Sequence, residues 1–385
     1  MSEDITLILT LSLSIVISPY IAKILSLPTA ATEIILGAIL GTIGVIKDND
    51  LFILIAQVGF LYLMFLAGME VDLKEIRAHK NQPILKRAIF FVVIVGILAI
   101  AIGYIFDYNI IIIISFPLIS VGLLATLSKI YGKKERWLKS AFIVGILGEI
   151  VSIIALTILD AANHSGFGIA LFVKIITLVI FGLIIYLVYK FFEFLFWWFP
   201  EIKKILMPTI DIQNQNIRFS IAIFFIFIAI VKLLKLELAL GAFLAGVAIS
   251  AFFHQAELED KLSSLGFGLL VPLFFIYVGS TFDLKSLLIP GVITGALKIV
   301  AIMIFIRFLG AYPLKLYIGS KDAFLVALAL SMPLTLIIAV AKIGFDGGII
   351  GIYEYYQLIL ASLLEVVIVM GIIKIINSLK FFQKK

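Results

Sequence analysis

The sequence contains no cysteine, which excludes disulfides, thiolate metal sites and cysteine nucleophiles, and its three histidines are scattered too widely for a histidine metal cluster. Charge is scarce as well: 14% of the 385 residues are Asp, Glu, Lys or Arg, against roughly a quarter in soluble domains. Neither GxSxG nor HExxH occurs, and no close carboxylate pair on neighbouring apolar segments is evident, so an intramembrane enzyme has no support. The "GFG" pieces at Gly166 and Gly266 follow no strand and are not nucleotide fingerprints. The start, "MSEDITLILT", lacks the basic n-region and small-residue cleavage site of a signal peptide, so the first apolar segment is expected to remain as a helix.

What fills the chain instead is apolar: 63% of residues are hydrophobic and the mean hydropathy is +1.23. Runs close to the roughly 20 residues that cross a bilayer recur from end to end, so the expected class is an all-α polytopic membrane protein, not a barrel. About thirteen spans can be placed, centred near residues 15, 37, 60, 95, 117, 148, 180, 224, 243, 272, 298, 331 and 367. The net charge of +6 sits in loops, not in a nucleic-acid-binding patch. When loops are assigned alternately to two sides, one side collects Lys74, Arg77, Lys80, Lys86, Arg87, Lys129, Lys133, Lys134, Arg136, Lys139, Lys203, Lys204, Arg218, Lys380, Lys384 and Lys385. The other holds mainly Lys47, Lys232, Lys235, Lys285 and Lys342. The positive-inside rule makes the first side cytoplasmic, with the N-terminus outside and the C-terminus inside.

Two segments resemble each other: "FLAGMEVDLK" (Phe65 to Lys74) and "IYVGSTFDLK" (Ile276 to Lys285). "LGAILG" from Leu36 and "LGAFLAG" from Leu240 form a second pair in the same order. The alternation of loops gives the two Asp-Leu-Lys ends opposite sides, the pattern of inverted-topology repeats with a site at mid-membrane. The expected organisation is a first repeat over 1–160 with helices 1 to 6, a linker helix 7 and cytoplasmic loop over 161–216, and a second repeat over 217–385 with helices 8 to 13. Pro117 in "SFPLISVGLL" and Pro333 in "LSMPLTLIIA" fall at similar places in the two copies, and a proline there predicts a broken span at mid-depth.

Ionisable residues inside such spans cost about 2.5–3.5 kcal/mol at the bilayer centre on insertion scales, so they pair or line a path. Glu149 in "VGILGEIVSIIAL", Lys298 and Glu365 lie near span centres, with Arg307 nearer an end. Glu149 suits reversible protonation or cation binding. Glu365 occupies the place of its counterpart in the second repeat and is expected to pair with Lys298. Glu33 and Glu237 open spans and are expected to snorkel to the interface.

Taken together, "LPTAATEIILGAILG", "LYLMFLAGMEVDL", "LALGAFLAGVAIS" and "VPLFFIYVGSTFDL" resemble, in order, recurring segments of the monovalent cation:proton antiporter-2 family. The resemblance implies a thirteen-helix antiporter of a bacterial inner membrane, with a core domain of two crossed broken helices moving against a dimerisation domain, and so a homodimer. It implies no cofactor. In that family the sixth span carries an Asn-Asp-like pair whose last carboxylate binds the ion; here the pair reads Gly148-Glu149, so Glu149, with Ser120 beside the first break, is the expected carrier of H⁺ and of transported Na⁺ or K⁺. Lys298 matches the family's basic residue in the eleventh span, and Thr335 stands near a position where relatives carry an acid. The chain ends at "SLKFFQKK", where potassium-efflux relatives append a nucleotide-binding domain, so no soluble regulatory domain is expected. The alternative reading is a cation channel or a non-transporting membrane sensor of the same fold.

Overall fold

Proline, asparagine and aspartate punctuate the apolar runs. In a computed structural model of the chain, residues 3–383 are described except 26, 28, 47, 48, 70–82, 133, 134, 166–168, 207, 209–212, 235, 237, 254 and 255. The Asp72-Leu73-Lys74 end of the first repeated segment, Glu237, and Lys47, Arg77, Lys80, Lys133, Lys134, Lys235, Lys384 and Lys385 lie outside the described residues.

The described residues form helices and no strand. In chain order these are α1 (Glu3–Leu25), α2 (Thr29–Thr42), α3 (Asp50–Met69), α4 (Pro83–Ile105), α5 (Ile110–Ser115), α6 (Gly122–Tyr131), α7 (Arg136–Ser165), α8 (Ile169–Trp198) and α9 (Pro200–Leu206). They continue as α10 (Gln215–Leu233), α11 (Leu238–Phe253), α12 (Ala256–Leu265), a π-helical turn (Gly266–Leu270), α13 (Val271–Ser280) and a 3₁₀ turn (Leu284–Leu288). The last are α14 (Val292–Gly310), α15 (Tyr312–Ile318), α16 (Ser320–Ala329), α17 (Leu334–Asp346) and α18 (Ile352–Gln383). Among the described residues eight helices are long and apolar enough to cross a membrane, or nine if the bent pair α16 and α17 is one span; α2 and α11 are shorter apolar helices. The second "GFG" lies in the π-helical turn, which joins α12 and α13 into the single span Glu257–Ser280.

Local chemistry accounts for the boundaries. Asn109 caps α5 by accepting the Ile111 N–H at 3.1 Å, and Asn49 caps α3 by accepting that of Leu51 at 2.9 Å. Asp283 accepts the Lys285 N–H at 2.9 Å, so the Asp-Leu-Lys of the second repeated segment is a helix start. On α4 the buried stripe is Ile84, Ala88, Phe91, Val95, Ala99 and Gly103, while Phe90, Val93, Ile97 and Ile100 face outward. An apolar outer face of that size is stable against lipid.

The chain divides into two compact units. One comprises Met1–Gly59, His79–Ser152 and Leu269–Lys385. In it α2 crosses α13 with backbones nearly touching: a β-carbon at Gly37 would collide with the Ile276 carbonyl, and one at Gly279 with the Ile34 carbonyl. Glu33, expected at the interface, is instead 4% exposed, and the Ser18 hydroxyl donates to its Oε1 at 3.1 Å. Packing of α1 on α2 overrides its position near a helix start. The other unit comprises Phe60–Ala78 and Ile153–Gly268. There α3 crosses α11 in the same manner, a β-carbon at Gly68 colliding with the Phe243 carbonyl and one at Gly246 with that of Phe65. Tyr62, Phe65 and Phe224 pack edge to face beside this crossing.

Candidate functional site

The site is built around the first helix break. Pro117 has no N–H to continue α5, the chain runs unwound through residues 116–121, and α6 begins at Gly122. Such a break leaves carbonyls at the end of α5 and N–H groups at the start of α6 without helical partners. Side chains of α7 take the N–H groups. Glu149, fully buried, accepts the Val121 N–H on Oε2 at 2.8 Å, and the Ser120 hydroxyl lies 3.4 Å from its Oε1. Three residues further along the same face, Ser152 accepts the Ile119 N–H at 2.9 Å and donates to the Gly148 carbonyl at 2.8 Å. A carboxylate facing the start of α6 also complements the helix dipole.

The second break lies at Leu330–Pro333, between α16 and α17, whose axes differ by 41°. Arg307 of α14, fully buried, serves both breaks. Its Nε donates to the Leu330 carbonyl at 2.9 Å, Nη1 to the Met303 carbonyl at 2.8 Å, and Nη2 to the Leu118 carbonyl of the first break. A guanidinium, with its fixed fork of donors, is suited to hold several carbonyls at once.

Glu365 of α18 is fully buried, both its carboxylate oxygens lack a hydrogen bond among the described residues, and the Arg307 charge acts on it. Thr335, 5% exposed at the start of α17, also has an unbonded hydroxyl. Lys298, expected to be the mid-span partner of Glu365, is on an exposed face of α14. The basic residue acting on Glu365 is therefore Arg307. Of the residues singled out in the sequence, Glu149, Ser120 and Pro117 come together at the first break; Arg307 ties that break to the second, where Pro333 and Thr335 lie; Lys298 stands apart. Ser152 was not singled out. Its signal was a lone hydroxyl one turn beyond Glu149 in an aliphatic run.

Comparison with known proteins gives the context. The family described as "Sodium/hydrogen exchanger, transmembrane" matches residues 11–376. The chain belongs to the sodium/hydrogen exchanger family. This exchanger-family chain is 25% identical over 393 residues to a probable Na⁺/H⁺ antiporter 3 of Methanocaldococcus jannaschii, covering 96% of each. It is 24% identical to a Na⁺/H⁺ antiporter of Enterococcus hirae, covering 100% of this chain and 99% of that protein. It is 26% identical to a putative Na⁺/H⁺ antiporter, YjbQ, of Bacillus subtilis, over 83% of this chain but only 54% of that protein, so it spans about half the length of that relative. The solved structure of the sodium proton antiporter MjNhaP1 from M. jannaschii superposes with a TM-score of 0.64 at 14% identity, covering 96% of both chains, a likeness of fold.

In this exchanger-family chain the residue preceding the buried acid has no side chain, for a steric reason. A β-carbon at Gly148 would stand 2.5 Å from Cδ1 and 2.8 Å from Cβ of Ile119, in the unwound segment. Asn or Asp at this position requires Ile119 to move.

Proposed function

We propose that the chain is a secondary antiporter of the monovalent cation:proton antiporter-2 branch, exchanging protons for Na⁺ or K⁺ across a bacterial inner membrane, and that Glu149 is the shared carrier. The observation that carries this reading is a fully buried carboxylate held by the backbone N–H and hydroxyl of an unwound segment, where carbonyls and helix ends can complete the shell of a small monovalent cation. A proton and a cation compete for the same oxygens. Exchange of occupants as access alternates between the two sides couples their fluxes.

The repeat reading supports alternating access. In both glycine crossings, one helix is from the "LGA" segments and the other from the segments ending in Asp-Leu-Lys. Gly37 meets Ile276 as Gly246 meets Phe65, and Gly279 meets Ile34 as Gly68 meets Phe243. These reciprocal contacts support reading Gly246, rather than Gly241, as the counterpart of Gly37. We read them as two inverted repeats in a thirteen-span protein, N-terminus outside and C-terminus inside, working as a homodimer with a core and a dimerisation domain.

The test is proton movement in proteoliposomes on addition of Na⁺ or K⁺. Wild type should exchange with at least one of them, and Glu149→Gln, nearly isosteric but unable to release a proton, should not. Exchange at wild-type rate in the Gln variant would remove Glu149 from the role; conductance without proton counter-flux would favour a channel.

A further inference from the structure

Of the buried carboxylates that the exchange cycle leaves unused, Glu33 is hydrogen-bonded to Ser18 and Glu365 is not bonded to any described residue. Glu365 is fully buried, both its oxygens lack hydrogen bonds among the described residues, and the nearby cation is already committed: Arg307 donates to Met303, Leu330 and Leu118. Charged groups on the helices packed against α18 do not compete for it. Lys298 on α14, Lys321 on α16, and Lys342 and Asp346 on α17 are exposed, Asp322 on α16 is half-buried, and Glu33 on α2 is hydrogen-bonded to Ser18. On α18 itself, Glu354 bonds to the Gly351 N–H near the helix start and Lys374 lies toward the other end. Among the described residues, Arg307 is the one whose charge bears on Glu365.

An ionised carboxylate without hydrogen bonds in a dry interior is strongly disfavoured; it takes up a proton or draws in a cation. Here the available cation is Arg307, whose Nε, Nη1 and Nη2 each donate to a carbonyl and none of which bonds to Glu365, so a direct pair requires the guanidinium to turn from the carbonyls toward the carboxylate. We propose that Glu365 is a second proton-binding site, and that its proton decides whether Arg307 holds the two helix breaks together. Protonated, Glu365 leaves Arg307 on Leu118 and Leu330. Ionised, it draws the guanidinium away, freeing the Leu118 carbonyl in the same unwound segment whose Val121 N–H holds Glu149. Arg307 is thus a positioning residue.

The proton site can be tested apart from the transport reading, because infrared spectroscopy detects a protonated carboxyl without transport. In a Glu33→Gln/Glu149→Gln variant, the high-frequency carbonyl stretch of a carboxylic acid free of hydrogen bonds should be present at acidic pH and disappear reversibly as pH rises. It should be missing when Glu365→Gln is added and displaced when Glu365→Asp is added instead. No such band at any pH, or a band that never titrates, overturns the proposal. The control over Arg307 has its own readout: Glu365→Gln, fixed in the neutral form, should still exchange cations for protons, with one titration step lost from its pH profile. An active Glu365→Gln protein with the wild-type profile overturns that part.

Discussion

Glu149 and Glu365 are separated by the same number of residues as Pro117 and Pro333, yet the two carboxylates have opposite surroundings. Glu149 is met by a backbone N–H and a hydroxyl from the broken segment beside it, whereas Glu365, among the described residues, is met by no donor and by the field of an arginine engaged elsewhere. The difference follows from what each helix turns toward its break. On α7 the small residues Gly145, Gly148 and Ser152 let the unwound chain approach: a β-carbon at Gly145 would already stand 2.8 Å from the Val121 side chain. An acid with two donors in place has a prepared seat for its negative charge; an acid without them is a group whose charge must be managed. On the proposed reading, one buried carboxylate holds the ion and the other reports a proton.

The strongest way to break this comparison is to remove Arg307. Arg307→Met strands the Leu118 and Leu330 carbonyls at the two breaks and leaves Glu365 without a counter-charge, and loss of one buried partner costs about 3–5 kcal/mol. Thermal unfolding in detergent should show that loss, and Arg307→Met/Glu365→Gln should recover part of it. A loss for Arg307→Met equal to that of an ordinary surface change would mean that the arginine does not tie the breaks together.

Shortening the first carboxylate is the next largest change. Glu149→Asp withdraws the oxygens by one methylene from the Val121 N–H, and a hydrogen bond to a charged group is worth about 1.5–3 kcal/mol. Apparent cation affinity should fall by about ten- to a hundredfold, read as the concentration dependence of exchange. An unchanged affinity would show that the Val121 contact plays no part in binding.

Gly148→Asn sharpens the comparison by adding the side chain that the family resemblance implies before the acid. The added atoms meet Ile119, and overpacking of this kind costs about 1–3 kcal/mol of stability. Gly148→Asn/Ile119→Ala should regain most of it. If Gly148→Asn alone is as stable as wild type, the absence of a side chain here has a different cause.

The sequence made some of this arrangement legible, and the reason is local. Glu149, Pro117, Pro333 and Ser120 each interrupt an apolar run, and each interruption is visible without knowing what packs against it. The glycines of the crossings were visible as similar segments, but not which glycine of "LGAFLAG" lies against another backbone, since that is fixed by what packs opposite. Depth and direction were hidden for the same reason. Glu33 reads as an interfacial residue from its place at a helix start, and only the helix beside it, bringing Ser18, makes it buried. Arg307 reads as a supporting charge nearer the end of its span, and its hold on both breaks is seen only when two carbonyls far apart in sequence converge on it.

The smallest expected effect belongs to Lys298, and it bears on why the sequence pointed to the wrong cation. Lys298 is nearer the centre of α14 than Arg307, so distance along the chain favours it as the partner of Glu365. Roughly two and a half turns separate the two residues at 3.6 residues per turn, which puts them on opposite faces of the helix. The face bearing Arg307 is packed and the face bearing Lys298 is exposed. Lys298→Met should therefore change the unfolding temperature little, within the roughly 0.5 kcal/mol of ordinary surface substitutions, and its effect should add to that of Glu365→Gln without coupling. Arg307→Met and Glu365→Gln, by contrast, should be strongly non-additive. Strong coupling of Lys298 with Glu365 would reverse the assignment, and would require α14 to turn its other face inward in some state of the cycle.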